Sequence, residues 1–302
     1  MNRTIKSLVC IGLTVGAIFK ASASEAVLNF SVTPQDEDNF VSADFRLWVS
    51  GETQTVRGIL VLLPGWSGSS LDWHKIPIWQ KFAVEQNFAI LTCNLKGELP
   101  WADYDYPAKG SGAALFKALV SFGEKLNQPS FSSLPLCLYG HSAGGQFAYH
   151  FARWKPEQVM AFATVKGGCH DLNDAEPVRT VPGLFIIGQY DEKYRHENMT
   201  ELVYANRKEK ALWCLAIEPN TRHEPAQSPQ LAIGFFEAVI PLRLNPVASL
   251  PLQMIDKQSG WLGNPATKST MSVLNYTGSK MMIWLPDAKF AKLWRAFTTT
   301  AK

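Results

Sequence analysis

The sequence is poor in cysteine and in charged residues, and its N-terminal apolar run is too short to cross a bilayer. Its 302 residues include five cysteines, and 29 basic and 26 acidic side chains leave a formal net charge of +3. So small a charge gives no reason to expect a nucleic-acid partner. No Cys-x-x-Cys pair or metal-type His/Cys spacing occurs, so we expect no metal ion. No internal repeat or low-complexity segment is visible.

The N-terminus has the three parts of an export signal. Arg3 and Lys6 precede an apolar run of 13 residues, SLVCIGLTVGAIF, and the Ala-Ser-Ala at 21–23 supplies small residues for cleavage. A membrane-spanning helix needs about 20 apolar residues, so we expect no stable membrane insertion after the signal is removed. The sequence therefore predicts a signal peptide over residues 1–23 and a mature protein that is secreted or periplasmic.

Removal of the signal leaves four cysteines, and three of them lie in apolar, strand-like runs. These three are Cys93, Cys137 and Cys214, and the fourth is Cys169. Cysteine in such runs commonly behaves as a small buried hydrophobic residue. An exported protein can oxidise a pair, but four cysteines allow three pairings and the sequence does not choose among them.

From about residue 56, short apolar runs rich in β-branched residues alternate with longer amphipathic ones. VRGILVLLPG at 56–65 is typical of a strand, and GAALFKALVSFGEKL has the three- and four-residue apolar spacing of a helix. A helix is also predicted to begin near Ser70 or Asp72 and to run to Asn87, with Pro77 disturbing its first turns. The segment at 28–50 favours one or two antiparallel edge strands. We expect an α/β fold with a mostly parallel central sheet and helices on both faces.

The character of the chain changes after Leu244. The remainder holds turn residues, three tryptophans and one short final helical pattern, and it is too small for a confident independent domain. We therefore expect a main domain over residues 24–244 and a C-terminal extension over 245–302 that packs on it.

One serine lies between glycines, directly after an apolar run. Gly140-His141-Ser142-Ala143-Gly144 fits the pattern G-x-S-x-G, and it stands between a predicted strand and a predicted helix, which is the context this pattern requires. The turn holds its central residue in a strained backbone conformation, and side chains two residues away on either side would collide. It exposes the hydroxyl at the carboxyl edge of the sheet, so Ser142 is predicted to be a nucleophile.

A serine hydroxyl needs a base, and the base needs an orienting acid. In this arrangement the acid follows the serine in the chain and precedes the histidine. Asp191 comes three residues after Gly188, where the strand in LFIIGQYDE ends, and it is the predicted acid. Asp171 and Asp174 follow the preceding strand and are the alternatives.

The base is predicted to be His223, in the loop AIEPNTRHEPAQ between the last strand of the main domain and its last long helix. His141 is expected beside the serine turn, and His170 follows a strand end and can face the cleft. None of the other five histidines lies in the loop that the topology assigns to the base; they are His74, His141, His150, His170 and His196.

The reaction also needs two N–H donors for an oxyanion. The backbone N–H of Ala143 is one candidate, and that of Trp66, in the loop LLPGWSGSS, is the other. The Trp66 indole is also expected to line one wall of the cleft. The loop ELPWADYDYPAKGSG is expected to cover an acyl pocket. The aromatic residues expected near the cleft are Trp66, Trp101, Tyr104, Tyr106 and Tyr190.

The segments LLPGW, GHSAGG, GQYDE and RHEP, in this order, resemble the α/β-hydrolase superfamily over about residues 56–240. Within it, the chain is similar to the secreted esterases grouped with poly(3-hydroxybutyrate) depolymerases and feruloyl or acetylxylan esterases. Many of those relatives carry His-Gly where this chain has Pro64-Gly65. The resemblance implies hydrolysis of small or polymer-borne esters through an acyl-enzyme on Ser142, without a metal or organic cofactor.

Two other functions are compatible with these motifs. A serine peptidase of the same fold would use the same nucleophile, but such enzymes often carry a glutamate pair for the substrate's amino terminus and a propeller domain, and neither is evident. A non-catalytic binding protein that retained the fold would usually have lost the serine, the histidine or the acid, and all three candidates are present. The pattern does not specify the acyl group, the alcohol or the oligomeric state.

Overall fold

The computed structural model describes residues 24–98, 103–173, 175–245, 251–278 and 281–299. The predicted signal peptide, Trp101 and Asp174 lie outside the described residues.

The core of the molecule is an eight-stranded sheet in the order β1-β2-β4-β3-β5-β6-β7-β8. Within it, β2 is antiparallel to both of its neighbours, β1 and β4, and every pairing in the order from β4 to β8 is parallel. The strands of this sheet are β1 (Ala26–Val32), β2 (Ser42–Val49), β3 (Gly58–Leu63), β4 (Phe88–Lys96), β5 (Leu136–His141), β6 (Val159–Val165), β7 (Gly183–Gly188) and β8 (Trp213–Glu218).

The apolar runs become the central strands because both faces of the sheet are covered. Every residue of β3, β6 and β7 is buried, and side chains alternate between the two faces of a strand, so neither face meets water there. The outermost strand, β1, instead alternates between exposed and half-buried residues over most of its length. This is the pattern of an edge strand.

In the part of the chain that the structure describes, six α-helices connect or flank the strands. They are α1 (Pro77–Gln86), α2 (Ser111–Lys125), α3 (Ala143–Trp154), α4 (Lys193–Lys208), α5 (Ser228–Arg243) and α6 (Ala288–Thr299). The predicted start of the first helix near Ser70 or Asp72 is wrong: Trp73–Lys75 forms a separate 3-10 turn, and α1 begins at Pro77. Proline lacks an N–H and has a fixed φ, so it suits the first position of a helix and not its interior.

The described part of the C-terminal extension packs against the main sheet and its last helix. Its three short strands form a second sheet in the order β10-β9-β11, from β9 (Trp261–Gly263), β10 (Thr270–Ser272) and β11 (Ile283–Leu285). The buried Trp294 indole in α6 donates a hydrogen bond to the carbonyl of Leu215 in β8 at 2.9 Å. Phe290 packs edge-on against Phe235 of α5, with 5.3 Å between ring centroids. Buried apolar contacts and this hydrogen bond thus hold the extension on the core.

All four described cysteines are free thiols, and three of them are buried in the sheet. Burial raises the pKa of the Cys93 thiol to about 12, so that side chain is neutral at physiological pH. Across the described ranges, we find no helix with the length and apolar character needed to cross a bilayer.

Candidate active site

Ser142 occupies a strained turn between β5 and α3. Its φ of 55° and ψ of −121° are a combination that residues with a side chain rarely adopt. The surrounding backbone fixes this conformation: the Ser142 N–H donates to the Val165 carbonyl at 2.8 Å, and the Ser142 carbonyl accepts from Gly145 and Gln146 at 2.9 and 3.1 Å. Such strain persists only where neighbouring contacts enforce it, and it occurs mainly at functional sites.

The two glycines of the motif are required by close backbone approach. A Cβ placed on Gly140 would lie 1.9 Å from the carbonyl oxygen of Gly144, and one on Gly144 would lie 2.5 Å from the carbonyl oxygens of both Leu63 and Pro64. The turn therefore packs directly against the end of β3. A side chain at either glycine would force the serine out of its position.

We accordingly expect Gly140→Ala to lower kcat at least 100-fold for any reaction that uses Ser142, because a shift of about 1 Å at a nucleophile has an effect of that size. Steady-state kinetics beside a thermal melt would measure it. Gly278→Ala is the matched control, since the three atoms nearest to a Cβ there all belong to the Tyr276 side chain, at 3.1 Å or more. Equal activity in the two variants would contradict the prediction.

The structure brings His223 and Asp191 into line with this serine. The His223 ring lies with Nε2 3.0 Å from Ser142 Oγ and Nδ1 3.1 Å from Asp191 Oδ2. Asp191 follows β7, and His223 lies in the loop after β8, so the ends of three parallel strands supply the three groups. Because a carboxylate only accepts, the ring proton belongs on Nδ1, and Nε2 is left free to accept from the serine hydroxyl.

The carboxylate of Asp191 is almost fully buried but not isolated. Its side chain is 1% exposed, and Oδ1 accepts the N–H of Glu192 at 2.8 Å and lies 3.4 Å from Nε of Arg195. The Arg195 guanidinium also donates to the carbonyls of Lys166 and Gly167. Such partners offset the cost of removing the carboxylate from water. The sequence-based reasoning missed Arg195, although its position four residues after Asp191, at the start of a helix, was a usable signal.

The amides predicted to form an oxyanion hole border the serine. Ala143 is the first residue of α3, and a Cβ placed on Gly65, next to Trp66, would lie 3.3 Å from the Cβ of Ser142. Among the described residues, the N–H groups of Trp66 and Ala143 have no acceptor. The arrangement leaves two donors free beside the hydroxyl.

His141 supports the base. Burial lowers its pKa to about 4, so the ring is neutral at pH 7, and its Nε2–H donates to the backbone carbonyl of His223 at 2.6 Å. The expectation that His141 lies beside the turn matches this position.

The alternative site residues are engaged elsewhere. Asp171 forms an ion pair with Arg153 at 2.6 Å, and Asp174 lies outside the described residues. His170 does not face the cleft as expected: it is buried, with Nε2 2.8 Å from Thr164 Oγ1 and Nδ1 3.0 Å from Asn198 Oδ1.

A cleft of about 640 Å³ opens over the serine. Its aromatic walls are Trp66, Trp73, Tyr106 and Tyr194, and its polar lining includes Asp103, Asp105, Gln146 and Arg195. Two of the expected aromatic residues do not line it: Tyr104 is buried, whereas Tyr190 is exposed outside the cleft. The loop after β4 does border the cleft, through Asp103, Asp105 and Tyr106.

The buried carboxyl of Asp105 is a second cleft residue that the sequence-based reasoning missed. Burial raises its pKa to about 7, and it accepts a hydrogen bond from Gln146 Nε2 at 2.6 Å. The sequence offers only a weak signal for it, an acidic residue within an aromatic loop.

Comparisons with known proteins identify the fold of this chain. No protein-family profile matches the sequence, and no curated protein is significantly similar to it. Solved structures do match. A ferulic acid esterase shares 13% identity with a TM-score of 0.53, over 70% of this chain and 96% of that chain. LpqC, a poly(3-hydroxybutyrate) depolymerase from Bordetella parapertussis, shares 14% identity with a TM-score of 0.53, over 75% and 92%.

A third similar structure is poly(aspartic acid) hydrolase-1 from Sphingomonas sp. KT-1, at 16% identity and a TM-score of 0.50, over 69% of this chain and 97% of that chain. Likeness at this level of identity shows a common fold. Together with the mostly parallel sheet, it confirms the predicted fold class.

Proposed function

We propose that this chain, which has the α/β-hydrolase fold, is a serine hydrolase that cleaves carboxylic esters through Ser142, His223 and Asp191. The observation that carries the proposal is the position of the His223 ring, within 3.1 Å of both the serine hydroxyl and the aspartate carboxylate. Ester substrates are favoured because two of the three similar structures above are named as an esterase and a depolymerase of a polyester.

In this mechanism His223 moves one proton at each step. Nε2 takes the proton from Ser142 as Oγ attacks the ester carbonyl, and the resulting oxyanion accepts from the N–H groups of Ala143 and Trp66. The imidazolium then gives its proton to the departing alkoxide, which leaves an acyl group on the serine. The same nitrogen then deprotonates a water, whose oxygen attacks the acyl carbonyl, and the imidazolium returns this proton to Ser142 Oγ as the carboxylic acid leaves. The Asp191 carboxylate stabilises the imidazolium in both steps.

The oxyanion donors are expected to supply a large part of the rate enhancement. Removal of one such donor typically costs about 3 kcal/mol of transition-state stabilisation. Trp66 and Ala143 both line the cleft beside Ser142, and donors that are preorganised in this way need no reorganisation during the reaction.

The test is a panel of esters with a short acyl group, a feruloyl group, acetylated xylan and a hydroxybutyrate oligomer. Wild type is expected to hydrolyse at least one of them and to react with a fluorophosphonate probe, and Ser142→Ala is expected to do neither. Hydrolysis retained by Ser142→Ala would refute the nucleophile. Failure of the wild type to react with the probe would instead favour a non-catalytic binding protein.

Amide hydrolysis is the second candidate, and the similarity to a hydrolase named for poly(aspartic acid) favours it. The same three groups can protonate an amine leaving group. Aminoacyl-nitroanilides assayed beside nitrophenyl esters separate the two functions: a higher kcat/KM for the anilide would replace the ester proposal.

A further inference from the structure

A buried ion pair lies beneath the loop that carries His223. Lys166 directly follows β6, and its side chain is fully buried. Its ammonium lies 2.9 Å from Oε2 of Glu218, the last residue of β8, and Glu218 is also buried. Two charges removed from water in this way cost several kcal/mol of solvation each, so such a pair is weak evidence for a role in stability alone.

The pair holds the His223 loop from both ends. The Lys166 ammonium donates to Oγ1 of Thr221 at 3.1 Å and to the backbone carbonyl of Glu224, which are two residues before and one residue after His223. The Glu218 carboxylate accepts the N–H of Gln227 at 2.7 Å and the hydroxyl of Ser228 at 3.0 Å, where the loop meets α5. These four hydrogen bonds define the path of the loop.

The backbone of Lys166 reaches the other catalytic loop. Its φ of 53° is unusual for a residue with a side chain, and its N–H donates to Ile186 of β7 at 2.7 Å. Its carbonyl accepts from the guanidinium of Arg195 at 3.0 Å, and Nε of the same Arg195 lies 3.4 Å from Asp191. One residue therefore contacts the loop of the base directly and the loop of the acid through a single intermediary.

We infer that Lys166, paired with Glu218, is a positioning residue that holds the His223 ring between Ser142 and Asp191. Lys166 touches neither the serine nor the substrate in the proposed reaction, and it acts only through the loop. The functional part of this inference rests on the proposed function, whereas the alignment of His223 with Asp191 can be measured without any substrate.

The test compares two variants that each remove a buried cation. Lys166→Met is expected to lower kcat for a nitrophenyl ester about 100-fold with KM nearly unchanged, as expected for a ring displaced by about 1 Å. Lys166→Arg, which keeps the charge, is expected to recover part of that loss. Arg243→Met is the matched control: Arg243 is 2% exposed and donates to Val159 and Thr180, away from the three aligned groups. It is expected to lower the melting temperature and leave kcat unchanged.

A spectroscopic readout separates this inference from the proposed function. The Nδ1 proton of His223, shared with Asp191, is expected to give a low-field proton NMR signal that His223→Ala removes. We expect Lys166→Met to broaden or shift this signal and Arg243→Met to leave it intact. This outcome would uphold the positioning role even in a protein that hydrolyses no ester.

Thr221→Val covers the case in which Lys166→Met does not fold. It removes one acceptor of the ammonium without burying a lone charge, and it is expected to lower kcat several-fold and to shift the same signal. The inference is overturned if the variant that folds, Lys166→Met or Thr221→Val, leaves the His223 signal unchanged and has the same kcat as Arg243→Met.

Discussion

Replacement of His223 with alanine is expected to lower kcat for a nitrophenyl ester about 10⁶-fold, close to the loss that follows removal of the nucleophile itself. The reason is geometric: the His223 Nε2, 3.0 Å from Ser142 Oγ, is the acceptor aligned with that hydroxyl. Without it the hydroxyl keeps its proton and remains a poor nucleophile at neutral pH. Single-turnover and steady-state kinetics on purified protein would measure the effect.

The same experiment tests whether the three groups act as a unit. The double variant Ser142→Ala/His223→Ala is expected to lose little more kcat than either single variant, because the effects of groups that act on one proton transfer are strongly non-additive.

Asp191→Asn is expected to lower kcat about 10⁴-fold, since an amide no longer fixes the tautomer of His223. Asp171→Asn, which disrupts an ion pair with Arg153 instead, is the matched control and is expected to stay near wild type. A larger loss in Asp171→Asn than in Asp191→Asn would contradict the assignment of the acid.

Much of the main domain was predictable because its strands and helices follow local patterns. The apolar run VMAFATV becomes β6 with every residue buried, and the amphipathic AGGQFAYHFARW becomes α3 over Ala143–Trp154. The residues of the candidate site were predictable for a related reason: each lies just past the carboxyl end of a parallel strand, where loops from distant segments meet.

The remaining features depend on contacts that local patterns do not encode. The strands β9 to β11 have three residues each, too few to carry an alternation, and they form because they pair with one another and pack on α6. The carboxyl of Glu218 and the ammonium of Lys166 are 52 positions apart, as the printed sequence shows, and only the parallel sheet brings them together. Tyr104 is buried and Tyr190 is exposed, a difference that depends on tertiary packing and that composition does not encode.

Acidification from pH 7 to pH 4 is expected to lower the free energy of unfolding of the protein. Burial lowers the pKa of three histidine side chains, to about 4 for His141 and His150 and about 3 for His170. Each folded-state pKa lies below the ordinary value of 6.5, so the unfolded chain binds more protons in this range, and stability falls as the pH drops through it. Asp105 acts in the opposite direction: its pKa is raised to about 7, so its contribution is present at low pH and lost as the pH rises through 7.

The three histidines outweigh the one carboxyl. At about 1.4 kcal/mol for each pKa unit, the net loss between pH 7 and pH 4 is on the order of 5 kcal/mol. A domain has about 5–15 kcal/mol of stability in total, so a loss of this size brings it to the edge of unfolding. Urea titrations followed by tryptophan fluorescence at pH 7, 6, 5 and 4 would measure this loss.

His170→Gln is expected to flatten the dependence of the free energy of unfolding on pH, because it removes the most strongly shifted imidazole. Asp105→Asn is expected to steepen the slope, because it removes a group that favours the folded state in acid. Stability that stays constant or rises between pH 6.5 and pH 4 would contradict the prediction, because these rings would then bind protons in the folded protein as readily as in the unfolded chain.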